Sequence, residues 1–240
     1  MVHSFNEDDK FLNNLGKTHN YGSGFNGKLI EFKYRFISDY ITENSKVLEI
    51  GPAEGPMTEL LLNNHKIKLT LIEPSKGFFK KLKLKFPNLN IINSYLEDSK
   101  LDEKYDVIIC SHILEHLEDP VPFLNKLKEY CSNKTKIFIS VPNAKSFHRL
   151  LGVKLDLLDS EYSLNDADIS VGHKRVYDFN LLKKQLTKVN YKVNFMTGIF
   201  FKILSNDQLE SFDKNIVNGF YELGKNFPEN CAEIMAVCSV

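Results

Sequence analysis

Residues 46–55 read KVLEIGPAEG and decide the fold of this 240-residue chain. A short apolar run ends next to an acidic residue, and small residues follow at alternate positions, namely Gly51, Ala53 and Gly55. Pro56 comes next, and proline suits the first turn of a helix because its missing N–H has no helical partner there. The segment predicts a strand, a tight loop and a helix, an arrangement that directs backbone N–H groups towards a ligand.

A second apolar run, residues 69–73, ends in Glu73, about 20 residues after the loop, where nucleotide-binding folds place a ribose-binding carboxylate. Dinucleotide-binding loops need glycines at i, i+2 and i+5, but this chain has Gly51, Ala53 and Pro56 there. The pattern therefore disfavours a nicotinamide oxidoreductase and predicts another nucleoside cofactor. Any strand-to-helix turn also favours glycine, so the loop alone leaves a purely structural turn as the alternative.

Composition limits the partners and the setting of the chain. Lys+Arg and Asp+Glu both total 31, so no overall positive field would attract nucleic acid. The four cysteines lack C-x-x-C spacing, which predicts reduced thiols and a cytoplasmic protein. No apolar run approaches the roughly 18 residues of a membrane span, and the N-terminus lacks the apolar stretch of a signal peptide. We expect a single domain over residues 1–240.

Strand-like and helical patterns alternate along most of the chain. Strands are predicted at residues 47–50, 69–73, 89–93, 107–110, 136–141, 191–195 and 233–240. Helices are predicted at residues 28–43, at about 57–65, 76–85 and 121–131, from residue 179 onwards and near residues 208–223. This alternation predicts an α/β fold with a doubly wound, Rossmann-like, seven-stranded sheet and ligands at the carboxyl ends of its strands.

Two segments fall outside the alternation. Residues 143–177 follow the fifth strand and exceed an ordinary connection, so we predict an insertion that serves the site. Residues 1–28 include a polar, aromatic and glycine-rich stretch that predicts a flap over the cofactor, with Tyr21 as its contact. A disordered terminus is the alternative for this second segment.

Two motifs resemble one enzyme family. Glu49 and the G-x-A-x-G loop are similar to motif I of class I S-adenosylmethionine-dependent methyltransferases. Residues 105–120, YDVIICSHILEHLEDP, resemble the Y/F-D-x-I…L-E-H-x-x-D-P segment of the small-molecule enzymes in that family. The resemblance covers residues 29–141 well and the rest more loosely. It implies S-adenosylmethionine as cofactor, S-adenosylhomocysteine as product and a terminal antiparallel hairpin.

The resemblance also assigns cofactor-binding residues. Glu73 would hold the ribose, Ser111 and His112 would lie near the sulfonium, and Glu115 and His116 would lie near the rim. Adenine would lie against residues 92–97, where the family often has Asp at the position of Ser94. The full predicted set is Glu49, Gly51, Ala53, Gly55, Glu73, Pro74, Ser94, Tyr95, Leu96, Ser111, His112 and Tyr21.

Residues 172–177, GHKRVY, end the insertion and resemble a segment of sugar- and quinone-directed O-methyltransferases. A neutral hydroxyl acceptor would need a base, and a histidine titrates in the right range. Alternatively, His173 fills a gap or caps the next helix, and an anionic acceptor would need binders instead of a base. The candidate bases are His173, His116 and His112, in that order, and the candidate substrate-binding residues are Arg149, Lys174, Arg175 and Tyr177.

The VPNA and GHKRVY segments most resemble bacterial methyltransferases of capsule and surface polysaccharides. This implies O-methylation of a small acceptor, either a sugar or a nucleotide-linked or phosphorylated intermediate, on a sugar hydroxyl or a phosphoramidate oxygen. The alternative is a methyltransferase-like protein that binds the cofactor without turnover, because Ala53 and Ser94 depart from the family pattern. The sequence leaves the oligomeric state open.

The stretch from His112 to His116 also fits H-x-x-E-H, a zinc-protease pattern. That chemistry needs both histidines on one face of a helix and a third ligand. His112 directly follows a buried strand, so we predict no metal site.

Overall fold

The computed structural model describes residues 7–18 and 20–240. The described chain begins with α1 (Glu7–Thr18) and α2 (Gly24–Ser38). The predicted helix over residues 28–43 therefore starts and ends earlier than the apolar pattern indicated. Part of the predicted flap, residues 1–6 and 19, lies outside the described residues.

The described strands form one seven-stranded sheet in the order β3-β2-β1-β4-β5-β7-β6. Strands β1 to β5 run parallel, and β7 runs antiparallel to both of its neighbours. The predicted α/β doubly wound sheet and its terminal antiparallel hairpin are confirmed. The strands are β1 (Lys46–Ile50), β2 (Lys68–Ile72), β3 (Asn90–Ile92), β4 (Tyr105–Ser111), β5 (Cys131–Pro142), β6 (Lys192–Ile199) and β7 (Glu233–Ser239).

Helices connect the strands, and two of them lie in the predicted insertion. The predicted single helix over residues 208–223 is wrong, because Asp213 caps a new helix by accepting a hydrogen bond from the N–H of Asn215. Asp, Asn and Ser favour such caps over helix interiors. The helices are α3 (Pro56–Asn64), α4 (Lys76–Lys85), α5 (Pro120–Lys128), α6 (Phe147–Lys154), α7 (Asp166–Ser170), α8 (Phe179–Lys188), α9 (Asn206–Glu210) and α10 (Lys214–Gly224). Among the described residues, no helix is long and apolar enough to cross a bilayer.

Two apolar cores cover opposite faces of the sheet. Leu48 and Ile108 belong to one core, whereas their chain neighbours Val47 and Val107 belong to the other. Successive strand residues point to opposite faces, so strands covered on both sides are apolar at every position. This explains the unbroken apolar run Val107–Cys110 of β4, whereas the run of β1 is interrupted by the buried Glu49.

The order of the strands determines where a ligand can enter. Strands β2 and β3 lie on one side of β1 in the sheet, and β4 and β5 lie on the other, so the order of the strands reverses at β1. Ligands bind beyond the strand ends at such a switch point. Because β7 is antiparallel, its first residue, Glu233, pairs with Pro142 at the end of β5. The start of β7 therefore lies at the same edge as the carboxyl ends of the parallel strands.

Candidate active site

The loop after β1 turns through left-handed backbone. Gly51, Ala53 and Gly55 have φ values of 66°, 52° and 78°. Glycine adopts this conformation freely, but a residue with a Cβ pays of the order of 1 kcal/mol or more. The turn directs the N–H of Ala53 at Oε2 of Glu73, 3.1 Å away. The loop after β1 is thereby fixed to the end of β2.

Glu73 lies at the switch point, where the sequence predicted a ribose-binding carboxylate. Its side chain is buried, and Oε1 also accepts a hydrogen bond from the N–H of Ser75 at 2.8 Å. Burial raises the pKa of Glu73 to about 8, although the two backbone donors oppose the shift. The side-chain amide of Asn93 donates to the carbonyls of Glu73 and Pro74. A carboxylate held in this way is oriented before any ligand arrives.

Glu49, the acidic residue before the loop, points into the protein. Its Oε2 accepts a 2.6 Å hydrogen bond from the hydroxyl of Thr58 in α3. Burial raises the pKa of Glu49 to about 7. The contact joins β1 to α3, and a direct role of Glu49 in cofactor binding stays a prediction.

A hydrogen bond forms within the predicted adenine-binding segment, residues 92–97. The hydroxyl of Ser94 donates to the carbonyl of Tyr95 at 2.9 Å, and Leu96 is buried. The oxygen of Ser94 keeps lone pairs that could accept a hydrogen bond from an adenine amino group while this bond is made. Recognition through the backbone of Tyr95 and Leu96 stays the prediction for this segment.

Tyr21 lies beside the crevice. Its backbone N–H donates to both carboxylate oxygens of Glu54, at 3.3 and 3.2 Å. Burial and the carboxylates of Glu54, Glu73 and Glu115 raise the pKa of Tyr21 to about 12. The phenol is therefore close to acidic groups on both sides of the switch point. Sequence reasoning missed Glu54, although it lies inside the quoted loop.

Helix α1 packs on α4 next to this phenol. The carbonyl of Leu12 accepts a hydrogen bond from the hydroxyl of Ser75 at 3.0 Å, and Oδ1 of Asn13 accepts one from the N–H of Lys76 at 2.8 Å. A Cβ added at Gly16 would lie 2.8 Å from the hydroxyl of Ser75 and 2.9 Å from the N–H of Phe78. The described part of the predicted flap is thus docked, and its opening stays a prediction.

His112 lies between two buried carboxylates. Its Nδ1 is 3.0 Å from Oε1 of Glu115, and its Nε2 is 3.1 Å from Oε2 of Glu233. Burial would lower the pKa of His112, but the two carboxylates raise it to about 9. A histidine that is already protonated cannot accept a proton, so the geometry does not fit the predicted role of His112 as a base. Glu233 was missed because it begins an apolar strand near the other end of the sequence.

Glu115, His116 and His173 come together beside His112. One ligand atom from each of the three side chains lies within 4.8 Å of the others. Glu115 is fully buried, which corrects its expected place at the rim. The rings of His116 and His173 are 4.8 Å apart at 72°, and Nδ1 of His173 is 2.9 Å from Oδ1 of Asp168. The prediction of no metal site depended on His112, which directly follows a buried strand, and it stays a prediction, whereas Glu115, His116 and His173 are placed where they could hold an ion.

Arg149 does not fit its predicted role in binding an anionic acceptor. The side chain is buried, and its Nη1 donates to Oδ2 of Asp168 at 2.9 Å. The other guanidinium nitrogens donate to the carbonyls of Glu161 and Ser163. Arg149 therefore holds the insertion together.

The other predicted substrate-binding residues also have internal partners. Arg175 donates to the carbonyls of Leu117 and Glu118 at 2.7 Å each, which fixes the loop after β4. Tyr177 is buried, and its hydroxyl donates to Gln185 at 2.8 Å. Lys174 forms a surface ion pair with Glu118 at 2.8 Å. These contacts correct the expectation that all three side chains face an acceptor.

His148 and Lys202 were not anticipated from the sequence. The N–H of His148 donates to the carbonyl of Lys202, and Nδ1 of His148 is buried with no hydrogen-bond partner among the described residues. Burial lowers the pKa of His148 to about 3 and that of Lys202 to about 8. Nζ of Lys202 donates to the neutral amide of Asn206 at 2.6 Å. The pair therefore brings a desolvated cation and a neutral imidazole to the side of the sheet that holds Glu233.

Comparisons with known proteins agree with this geometry. A family model described as a methyltransferase domain matches residues 25–194. A ubiquinone biosynthesis O-methyltransferase of Rickettsia bellii is 26% identical over 144 residues, which cover 58% of this chain and 56% of that protein. The chain thus spans about half the length of the curated relatives it matches.

Solved structures share the fold at low identity. A SAM-dependent methyltransferase from Archaeoglobus fulgidus superposes with a TM-score of 0.59 at 18% identity, covering 89% of this chain and 94% of the other. The N-methyltransferase NodS from Bradyrhizobium japonicum, in complex with S-adenosyl-L-homocysteine, gives a TM-score of 0.61 at 12% identity, covering 97% and 98%. At such identity, the likeness shows the fold alone.

Proposed function

We propose that this chain, which belongs to the methyltransferase domain family, transfers the methyl group of S-adenosylmethionine to an oxygen of a small molecule. The observation that carries the proposal is the buried carboxylate of Glu73, held by the N–H groups of Ala53 and Ser75 at the switch point of the sheet. A ribose diol offers the donors that such a carboxylate accepts. The residues present therefore fit this cofactor.

The chain has to orient the reactants and keep water out. When bound, S-adenosylmethionine supplies an electrophilic methyl group on a positively charged sulfur. Displacement at that carbon requires the acceptor oxygen in line with the carbon–sulfur bond, in a dry site. The described part of the flap supports this role, because Tyr21 is hydrogen-bonded to Glu54 in the loop after β1 and its ring packs against Phe78 of α4.

Lys202 supports an acceptor with an acidic oxygen. Its ammonium group is desolvated and donates to a neutral amide, so its charge can attract an anion. His173, oriented by Asp168, and His116 are the remaining candidates for removing the proton of a neutral hydroxyl. We favour a phosphorylated or nucleotide-linked sugar, which offers an anion for Lys202 and a hydroxyl for methylation.

The finer part of the proposal is O-methylation in the synthesis of a bacterial capsule or surface polysaccharide. Its support is the resemblance of residues 141–144 and 172–177 to enzymes of that group. O-methylation is also the named activity of the Rickettsia relative. All four cysteines are buried free thiols, which supports the predicted cytoplasmic location.

Calorimetric titration with S-adenosylmethionine and S-adenosylhomocysteine tests the cofactor. Above pH 8, where Glu73 is ionised, we expect both to bind, and Glu73→Ala to weaken binding by roughly 1.5–3 kcal/mol through loss of a charge-assisted hydrogen bond. Glu59→Ala is the matched control, since its carboxylate is 51% exposed and pairs with Lys85 at the surface. Failure of both ligands to bind would end the proposal.

Transfer of a labelled methyl group to a panel of acceptors tests turnover. The panel contains sugar phosphates, nucleotide sugars, neutral sugars and phenols. We expect transfer to phosphorylated or nucleotide-linked sugars and a lower rate for Lys202→Met. Cofactor binding without transfer to any acceptor would favour the alternative of a non-catalytic, cofactor-binding protein.

A further inference from the structure

We infer that Glu115, His116 and His173 bind a divalent transition-metal ion. One ligand atom from each side chain lies within 4.8 Å of the other two, so the side chains would have to close by roughly 1 Å to give zinc bonds of about 2.0–2.2 Å. Two imidazoles and one carboxylate form a donor set typical of zinc and of other borderline first-row metals, whereas magnesium and calcium prefer oxygen alone. The ligands come from two parts of the chain, the loop after β4 and the insertion.

The surroundings of the two histidines match those of metal ligands. Metal-binding histidines commonly donate their second ring N–H to a carboxylate or a backbone carbonyl, which fixes ring and tautomer. His173 has Asp168 at 2.9 Å from Nδ1, which leaves Nε2 for an ion. His116 makes a hydrogen bond to the backbone of Gly172. Asp168 is held in turn by Arg149, so the outer shell of the site is built before an ion arrives.

Glu115 gives an independent indication of a missing cation. Its side chain is fully buried, and neither carboxylate oxygen has a well-aligned hydrogen-bond donor in the described part of the chain. Its Oε1 lies within ion-pair distance of His112, which leaves Oε2 without a cation of its own. His112 is shared with Glu233, so an ion beside Oε2 of Glu115 would offset part of the cost of burying that carboxylate.

Glu115 and His116, two of the three proposed ligands, belong to the H-x-x-E-H pattern. Its first histidine, His112, is not among the proposed ligands. Residues 112–116 form a turn and not a helix. His112 has φ of 55°, and its Nε2 points to Glu233. The ligand that the pattern assigns to His112 is supplied instead by His173, which is distant in sequence. This set differs from the zinc-protease arrangement and calls for a different chemistry.

The ion would lie next to the proposed methyl-transfer site. A Cβ added at Gly51 would lie 3.6 Å from the side chain of Ile113, so the loop after β1 adjoins the turn that carries Glu115 and His116. Three protein ligands leave open positions on the ion for an oxygen of the acceptor, and a Lewis acid there would favour its deprotonated form. In that state His173 serves as a ligand and not as a base. This role rests on the proposed function, whereas ion binding itself does not.

Titration of the metal-free, full-length chain with Zn²⁺, without cofactor or acceptor, tests the site. We expect one ion per chain and at least 100-fold weaker binding in His116→Ala and in His173→Ala. His65→Ala is the matched control, because His65 pairs with Tyr34 away from the cluster and should not affect affinity. Co²⁺ provides a second readout, since its visible absorption reports nitrogen and oxygen ligands, and circular dichroism checks folding.

The outcomes separate this inference from the methyl-transfer proposal. Absence of Zn²⁺ binding to the wild-type chain, or equal affinity in all three variants, would overturn the metal site and leave the methyl-transfer proposal standing. Zinc binding without binding of S-adenosylmethionine or S-adenosylhomocysteine would support the metal site and overturn the methyl-transfer proposal. If an alanine variant does not fold, His116→Gln and His173→Gln keep a polar side chain in place, and the same loss is expected.

Discussion

Nζ of Lys33 lies 2.9 Å from Oε2 of Glu233, and only 3% and 7% of the two side chains are exposed. The pair joins α2 to the start of β7. Glu233 also contacts His112, so Lys33 and His112 share one buried carboxylate. The ion pair therefore links α2, the loop after β4 and β7 at the edge where the parallel strands have their carboxyl ends.

Lys33→Met should destabilise the protein by about 3–5 kcal/mol, because it leaves Glu233 buried with one cation fewer. Urea unfolding measures the change. Lys28→Met is the control, since Lys28 is 47% exposed and pairs with Glu31 at the surface, where such pairs contribute at most about 1 kcal/mol. Similar losses in the two variants would contradict the importance of the buried pair.

Ala53→Gly should stabilise the protein by about 0.5–1 kcal/mol. The substitution removes the strain of a Cβ at φ of 52°, and this outweighs the greater entropy of glycine in the unfolded chain. Ala144→Gly is the control, because Ala144 is buried without a positive φ and should lose stability. Equal destabilisation by both glycines would show that the loop after β1 is not strained.

The apo protein should lose stability as the pH rises from about 4.5 to about 8. Between these values, folded Glu73 keeps a proton that the unfolded chain has released, because its pKa is raised to about 8. The side chain in Glu73→Gln cannot ionise. The free energy of unfolding of this variant should therefore rise by about 2–4 kcal/mol relative to that of the wild type when the pH is raised from 5 to 8. Thermal unfolding at the two pH values measures this. Parallel pH profiles would exclude Glu73 as the source.

Arg149→Lys should loosen the insertion and leave the central strands unchanged. Lysine can replace one of the three guanidinium contacts, so the contacts to Glu161 and Ser163 are lost. We expect faster hydrogen exchange in α7 and a loss of about 1–3 kcal/mol, with unchanged exchange in β1 and β4. Arg35→Lys, at a partly exposed pair with Glu31, is the control. Unchanged exchange combined with weaker acceptor binding would restore the predicted acceptor role of Arg149.

Local patterns predicted the cofactor half of the protein well. Apolar residues predominate in strands β1, β2 and β4 because both of their faces are covered, and Gly51 and Pro56 mark the loop and helix after β1. Glu73 was found because its distance from the loop is set by one strand–helix–strand unit. These features depend on residues that are close in sequence.

The acceptor half depends on contacts that the sequence pattern does not encode. Lys33 and Glu233 meet only because β7 inserts next to β5. The roles of Arg149, Arg175 and Tyr177 were misassigned because residue type alone does not tell an internal hydrogen bond from a ligand contact. His112 was misassigned because its positive φ turns the side chain towards Glu233.

The position of β7 in the sheet also affects how the chain can fold during synthesis. The strand is translated after β5 and β6 but lies between them. A nascent chain on the ribosome can complete the nucleoside half, β1 to β4, while the other wall of the crevice is still missing. Until β7 has been translated, the ammonium group of Lys33 stays hydrated and cannot pair with Glu233. The Lys33–Glu233 pair can therefore form only after β7 has been translated, which is later than β1 to β4.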